Sequence, residues 1–329
     1  METTRGEFLK RSALAATAVA VGWQAFEFPA RAATIGYGAL GPADANGVRL
    51  PAGFAARVIA KSGTVVLNTN YVWPGQPDGS GTFPRAGGGW VLAVNSELNG
   101  HSGGASAIRF AANGEPTSAY RILSGTKWSC AGGVTPWGTW LSCEEFRNGV
   151  VWECNPFSRG QGVARPALGV FPHEAAPVDP ATGYVYLTED DYDARVYRFR
   201  PATYGRLSAG ALEAASVAAN GAVTWVPVSA DKPNRGRNTT PFQRPEGAWI
   251  SRNTLYFTTT ADDRVWALDL ASMRLGVIYD GLGANAADPL HEPDNVTVHD
   301  PTGDLFVAED ADDVQLVQDR KSTRLNSSH

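Results

Sequence analysis

Glu97, Glu144, Glu174, Glu246, Asp294 and Asn295 are spread along the chain and offer oxygen ligands. Ca²⁺ takes six to eight oxygens from carboxylates and amide carbonyls, and this set could supply them. Cys143 directly precedes Glu144 and Glu145. A thiolate beside carboxylates suits a transition metal such as iron, because sulfur is a poor ligand for calcium. Each of these residues also has a plain reading. Acids and amides are common turn formers and rim charges in Gly- and Pro-rich loops. Cys143 reads equally as an inert buried thiol, and Cys130 could form a disulfide with Cys143 or Cys154. No Ser-His-Asp set is evident.

A repeating fold can gather residues so far apart in the chain at one point, and the sequence carries a repeat. Strand-like segments begin at Trp90, Trp140, Tyr186, Tyr256 and Phe306, and each ends in acidic or polar residues. The starts are separated by 50, 46, 70 and 50 residues. That period, with several short strands per unit, is the spacing of a β-propeller. Cys130 and Glu246 stand 10 residues before an aromatic start, and Glu174 and Asp294 stand 12 before. Equivalent positions of successive blades lie on a ring around the axis, so these residues are expected to converge. Converging carboxylates raise one another's pKa values, and cations relieve that repulsion.

The fold expected is therefore all-β, a six-bladed β-propeller incomplete at its C-terminal end. The longer interval contains Pro201 to Asn238, which reads as an insertion on one face; Ser208 to Ala219, Ala-rich, is the one long helical candidate there. Arg195 to Phe199 and Arg264 to Leu268 alternate apolar and polar residues, as half-buried antiparallel strands do.

The chain has 329 residues, 43% of them hydrophobic and 19% charged, with 36 glycines and 21 prolines. This excludes a disordered chain and disfavours a helix bundle. A net charge of −5 argues against a nucleic-acid partner. Residues 1–32 read as an export signal: Arg5, Lys10 and Arg11, then the short apolar run Ala13 to Val21, then Ala30-Arg31-Ala32 with cleavage before Ala33. The run is too short to span a bilayer, so no stable membrane insertion is expected after cleavage. Thr4 to Lys10 resembles a twin-arginine motif with Gly6 in place of the second Arg, which leaves Tat and Sec routes open. A monomeric propeller domain is expected over 33–317, and 318–329 reads as a non-native tail.

The run Cys130-Ala-Gly-Gly133-Val-Thr135-Pro136-Trp137-Gly138-Thr-Trp-Leu-Ser-Cys143-Glu144-Glu145 resembles the signature of the PhoX family of bacterial alkaline phosphatases. Asn95-Ser-Glu97, Phe171-Pro-His173-Glu174-Ala, Thr188-Glu189-Asp190, Arg244-Pro245-Glu246 and Pro293-Asp294-Asn295 follow in the family's order. The resemblance implies a six-bladed propeller with ferric (Fe³⁺) and calcium (Ca²⁺) ions at its axis, and hydrolysis of phosphomonoesters in the periplasm or outside the cell. It implies Cys143 as the iron ligand, with Glu97, Glu144, Glu174 and Glu246 holding iron or calcium. Asp294 with Asn295 is a further pair of ligands on this reading. Arg244, and Lys127 beside the signature, would bind the phosphate of a small-molecule ester; a guanidinium fork suits that task. His173 could support Glu174 or be satisfied by backbone. Two other readings fit the same residues: a Ca²⁺-dependent propeller lactonase or phosphotriesterase, and a non-catalytic binding propeller stabilised by calcium.

Overall fold

A computed structural model describes residues 37–231, 238–281, 290–311 and 315–319. The export signal lies outside the described residues, as does the tail beyond Asp319. Five antiparallel sheets follow one another along the chain. The first holds β1 (Pro77–Pro84), β2 (Trp90–Ser96), β3 (Gly103–Phe110) and β4 (Pro116–Thr126). The second holds β5 (Ser129–Val134), β6 (Trp140–Glu144), β7 (Val151–Cys154) and β8 (Val163–Ala164). The third holds β9 (Val185–Thr188), β10 (Val196–Thr203), β11 (Arg206–Val217) and β12 (Val223–Pro227). Its innermost edge is the segment 173–178, which bridges to β9 at His173–Glu189 and Val178–Val185. The fourth holds β13 (Pro245–Ser251), β14 (Thr254–Thr259), β15 (Arg264–Asp269) and β16 (Arg274–Asp280), and the fifth holds β17 (Pro293–His299), β18 (Asp304–Glu309) and β19 (Leu316–Asp319).

The described residues thus form a propeller of five blades, not the six expected. The recurring aromatic starts mark these five. Two further expectations change. Ser208 to Ala219 is not helical: most of it lies in β11, which pairs with β10 and β12. Residues 201–227 are accordingly not an insertion but the outer strands of the third blade. Alanine favours helix locally, yet a blade that can bury Leu212, Ala214 and Ala215 overrides that weak preference.

The core lies between blades rather than inside one. Phe83, Val91 and Ile122 meet Trp140 between the first two blades. Leu141 and Val151 meet Phe171, Tyr197 and Phe199 between the second and third. Tyr186 and Val196 meet Phe257 and Trp266 between the third and fourth, and Val265 meets Val296 and Leu305 between the fourth and fifth. Middle strands are therefore buried on both faces, as β6 and β9 are throughout, instead of half-buried. Truncating a fully buried aromatic such as Trp140 is expected to cost about 3–5 kcal/mol. The first blade's other face is covered by the segment before β1, where Val66 and Trp73 pack on Ile108 and Phe110.

Inner strands approach closely, and glycine permits it. A Cβ on Gly79 would lie 2.5 Å from the Cα of Ala131 in the next blade, and one on Gly247 would lie 2.5 Å from the Cα of Asn295. Among the described residues no helix is long and apolar enough to cross a membrane. All three cysteines are free thiols, so the disulfides of Cys130 are not formed.

Candidate metal centre

One register recurs in every blade. Pro77 pairs with Ser96, Ser129 with Glu144, His173 with Glu189, Pro245 with Thr259, and Pro293 with Glu309. The amides of Glu97, Glu145, Asp190, Thr260 and Asp310 then donate to the carbonyls of Gln76, Trp128, Pro172, Arg244 and Glu292. Four of those acceptors sit in the left-handed region, with φ of 44° (Gln76), 47° (Trp128), 51° (Arg244) and 42° (Glu292). The fifth is Pro172, whose ring forbids that conformation. The turn aims the second residue of each inner strand at the axis: Asp78, Cys130, Glu174, Glu246 and Asp294. Across from them, one step past each second strand's paired residue, stand Glu97, Glu145, Asp190, Thr260 and Asp310.

Two trios result. Ligand atoms of Glu97, Cys130 and Glu145 all lie within 4.8 Å of one another, and so do those of Glu174, Glu246 and Asp294. The Cys130 thiol joins the trios by donating to Glu174 Oε1 at 3.3 Å. Glu174 is fully buried and its Oε2 has no partner. At the rim, Arg244 grips Asp190 with Nε and Nη2, at 2.8 and 2.9 Å, and Nη2 also reaches Glu246 Oε1 at 2.8 Å.

The electrostatics follow from this crowding. Burial, then repulsion from Glu145, Glu246, Asp294 and Asp78, pushes the Glu174 carboxyl well above the usual range. Burial, then a hydrogen bond with Asp190 and repulsion from Asp190 and Glu97, lifts Glu145 to about 9. Burial and nearby Asp190 also raise Glu246, against the pull of Arg244. Asp294 rises to about 6 through burial and the charge of Asp78. The Cys130 thiol is held protonated by burial and by Glu174. Like charges brought together out of water cannot all ionise unless a cation joins them.

The residues expected at the site divide into two groups. Glu97, Glu174, Glu246 and Asp294 come together, with Arg244 on their rim. Cys143, Glu144, Asn295 and Lys127 do not join them. Cys143 is completely buried between the second and third blades, beside Leu141 and Val151, and burial raises its thiol well above the ordinary value. Glu144 accepts the amides of Lys127 and Val150 at 3.0 and 3.3 Å, which ties adjoining turns together. The axial positions are taken instead by Cys130 and Glu145. The signature runs through β6, where neighbouring residues face opposite sides, so a slip of one position exchanges ligand for core. Asn295 lines a cavity of about 760 Å³ among the inner strands, and its Oδ1 accepts the amide of Val296. Lys127 places its ammonium over the rings of Trp128 and Phe146, at 4.9 and 5.0 Å. His173 contacts the carbonyl of Gly169 through Nε2, and burial lowers its pKa to about 4, so it is neutral.

Asp78, Glu145, Asp190 and Asp310 were missed. Asp78 stands 12 residues before Trp90, so the spacing that picked out Glu174 would have found it too. Glu145, Asp190 and Asp310 follow the ends of second strands and are legible only once the register is known.

The donors fit metal ions. Several buried carboxylates, an unpartnered Glu174 oxygen and one thiol make an oxygen-rich site for a hard cation, with a sulfur that suits a transition metal.

The family model for alkaline phosphatase PhoX matches residues 95–155 and 146–279, together more than half of the chain. Among solved structures, PhoX of Pseudomonas fluorescens in complex with vanadate is similar at 18% identity and a TM-score of 0.61. That likeness covers 76% of this chain and 78% of that one. A glucose dehydrogenase (12% identity, 82% and 88% covered, TM-score 0.48) is similar only in outline. So is a putative 6-phosphogluconolactonase of Bacteroides uniformis (13% identity, 83% and 70% covered, TM-score 0.44). No curated protein matches. With more than half of its length matched by that family model, the chain belongs to the PhoX family of alkaline phosphatases and is a phosphatase.

Proposed function

We propose that this phosphatase is a metal-dependent phosphomonoesterase, exported on the signal read at residues 1–32, with its ions held at the propeller axis. The observation that carries the reading is the joining of Glu97, Cys130 and Glu145 to Glu174, Glu246 and Asp294 through the Cys130–Glu174 contact. Cys130 would hold the thiophilic iron in place of Cys143. The carboxylates of both trios, with Asp78, would hold iron and calcium. Bound there, the ions supply charge neutralisation for a dianionic ester and an acidified water as nucleophile.

The chain's own residues do the rest. Arg244 carries its positive charge at the rim, beside the carboxylates that hold the ions. Burial alone would weaken that charge, but Asp190 and Glu246 stabilise it. From there the guanidinium can stabilise charge on the equatorial oxygens of the phosphoryl group. The Cys130 thiol separates this site from the oxygen-only rings expected of a propeller lactonase.

The test is elemental analysis with a parallel assay of p-nitrophenyl phosphate. Iron and calcium are expected in the purified protein, with hydrolysis lost on chelation, restored by adding the ions back, and inhibited by vanadate. Full hydrolysis after complete metal removal would overturn the reading.

A further inference from the structure

Arg244 is held in an unusual way. Its backbone adopts φ 51°, where a non-glycine residue is strained, and that conformation is pinned from both sides. The Arg244 amide donates to the carbonyl of Asp191, and its carbonyl accepts the amide of Thr260, both at 3.0 Å. The side chain is fixed by the same neighbouring turn. Asp190 takes Nε and Nη2 in a bidentate pair, and Glu246 takes Nη2 again. Among the described residues Nη1 has no protein partner. The Asp190 side chain is only 8% exposed, whereas that of Arg244 is 25% exposed. The Nε/Nη2 edge is thus held by a buried carboxylate, and Nη1 is the nitrogen left over on a side chain that is partly exposed.

We propose that Asp190 is a positioning residue: it aims Arg244 so that Nη1 alone faces the incoming phosphate. This rests on the reading of Arg244 as the phosphate-binding residue. A free arginine side chain would have to surrender several rotors on binding, and a carboxylate that fixes the fork beforehand removes that cost. The pair also spans two blades, since Asp190 follows β9 and Arg244 precedes β13. The phosphate contact therefore depends on how the third and fourth blades are docked.

The experiment uses metal-loaded protein and inorganic phosphate as the probe. Binding is measured by calorimetry, KM and kcat with p-nitrophenyl phosphate, and iron and calcium by elemental analysis. Asp190→Ala is expected to weaken phosphate binding and raise KM by about tenfold, the loss of one well-placed charge-assisted contact, with metal content unchanged. Asp190→Asn, which keeps the shape and one acceptor, is expected to fall between it and the parent. In an Arg244→Ala background, Asp190→Ala is expected to add nothing. The proposal is overturned if Arg244→Ala weakens phosphate binding but Asp190→Ala and Asp190→Asn leave it within twofold. It is also overturned if Asp190→Asn sheds metal, which would make Asp190 a ligand, or if the two alanine effects simply multiply. If Arg244→Ala itself leaves phosphate binding intact, the reading of Arg244 fails and takes this proposal with it.

Discussion

Two sets of buried carboxylates in this propeller have opposite surroundings. Away from the axis, Glu213 and Glu153 are answered by arginine. Glu213 takes Arg198 at 2.7 Å and Arg200 at 3.1 Å. Glu153 takes Arg165 at 2.8 Å, along with the indole of Trp137 and the hydroxyl of Thr139. At the axis, Glu145, Glu174, Glu246 and Asp294 crowd together with Asp78, Glu97 and Asp190 nearby, and Arg244 pairs with Asp190 and Glu246. The same residue types are structural pins away from the axis and an unpaid electrostatic debt at the centre. On the proposed reading cations meet that need, since leaving a buried charge without its partner costs about 3–5 kcal/mol.

The largest effect should come from Glu174. Glu174→Gln is expected to lower p-nitrophenyl phosphate turnover by at least about a hundredfold through loss of metal, since even partners of metal ligands cost 10–100-fold. In the metal-free protein the same change should raise the melting temperature, because Glu174 must take up a proton to sit there, against its ordinary ionisation, and glutamine need not. A lower melting temperature would place Glu174 with Glu213 and Glu153. Next comes Glu213→Ala, which strands Arg198 and should cost about 3 kcal/mol of stability with turnover per folded molecule unchanged. Urea titration with a parallel assay checks both halves of that expectation.

The two cysteines sharpen the contrast. Cys130→Ser should deplete iron and activity while leaving the fold intact. Cys143→Ser should keep both, yet cost about 1–3 kcal/mol for a hydroxyl placed among Leu141, Val151 and Phe171. Equal iron loss in the two variants would contradict the assignment of Cys130.

A smaller and graded effect is expected from pH. In the metal-free protein Glu145 is raised from 4.5 to about 9, and Asp294 from 3.8 to about 6. The native state therefore keeps protons that the unfolded chain has already released. Stability should fall as pH rises from about 5 to 9, since the unfolded state binds fewer protons over that window. With metal bound the carboxylates are ionised at no such cost, and the fall should vanish. Thermal melts with and without chelator across that range decide it.

The blade count and the axial convergence were unequally legible. Aromatic strand starts at Trp90, Trp140, Tyr186, Tyr256 and Phe306 mark five blades because every second strand packs a large side chain between sheets. The residue 10 to 12 positions earlier is axial because each inner hairpin has nearly the same length. That rule yields Cys130, Glu174, Glu246 and Asp294, and it includes Asp78. It says nothing about which of Cys143, Glu144 and Glu145 turns inward. That depends on register and on where β6 ends, and a strand buried on both faces gives no polar alternation to read. The alanines of Ser208 to Ala219 misled for a related reason: small residues suit a tightly packed outer strand as well as a helix.

The central claim is that the axial acids hold protons when no metal is present and give them up to cations. Calorimetric titration of chelated protein with Ca²⁺ at pH 7, repeated in buffers of different ionisation enthalpy, counts the protons released as the ion binds. The account predicts saturable uptake with net proton release in the parent, and less release in Glu145→Gln. Uptake with no proton release, or no uptake at all, would contradict it.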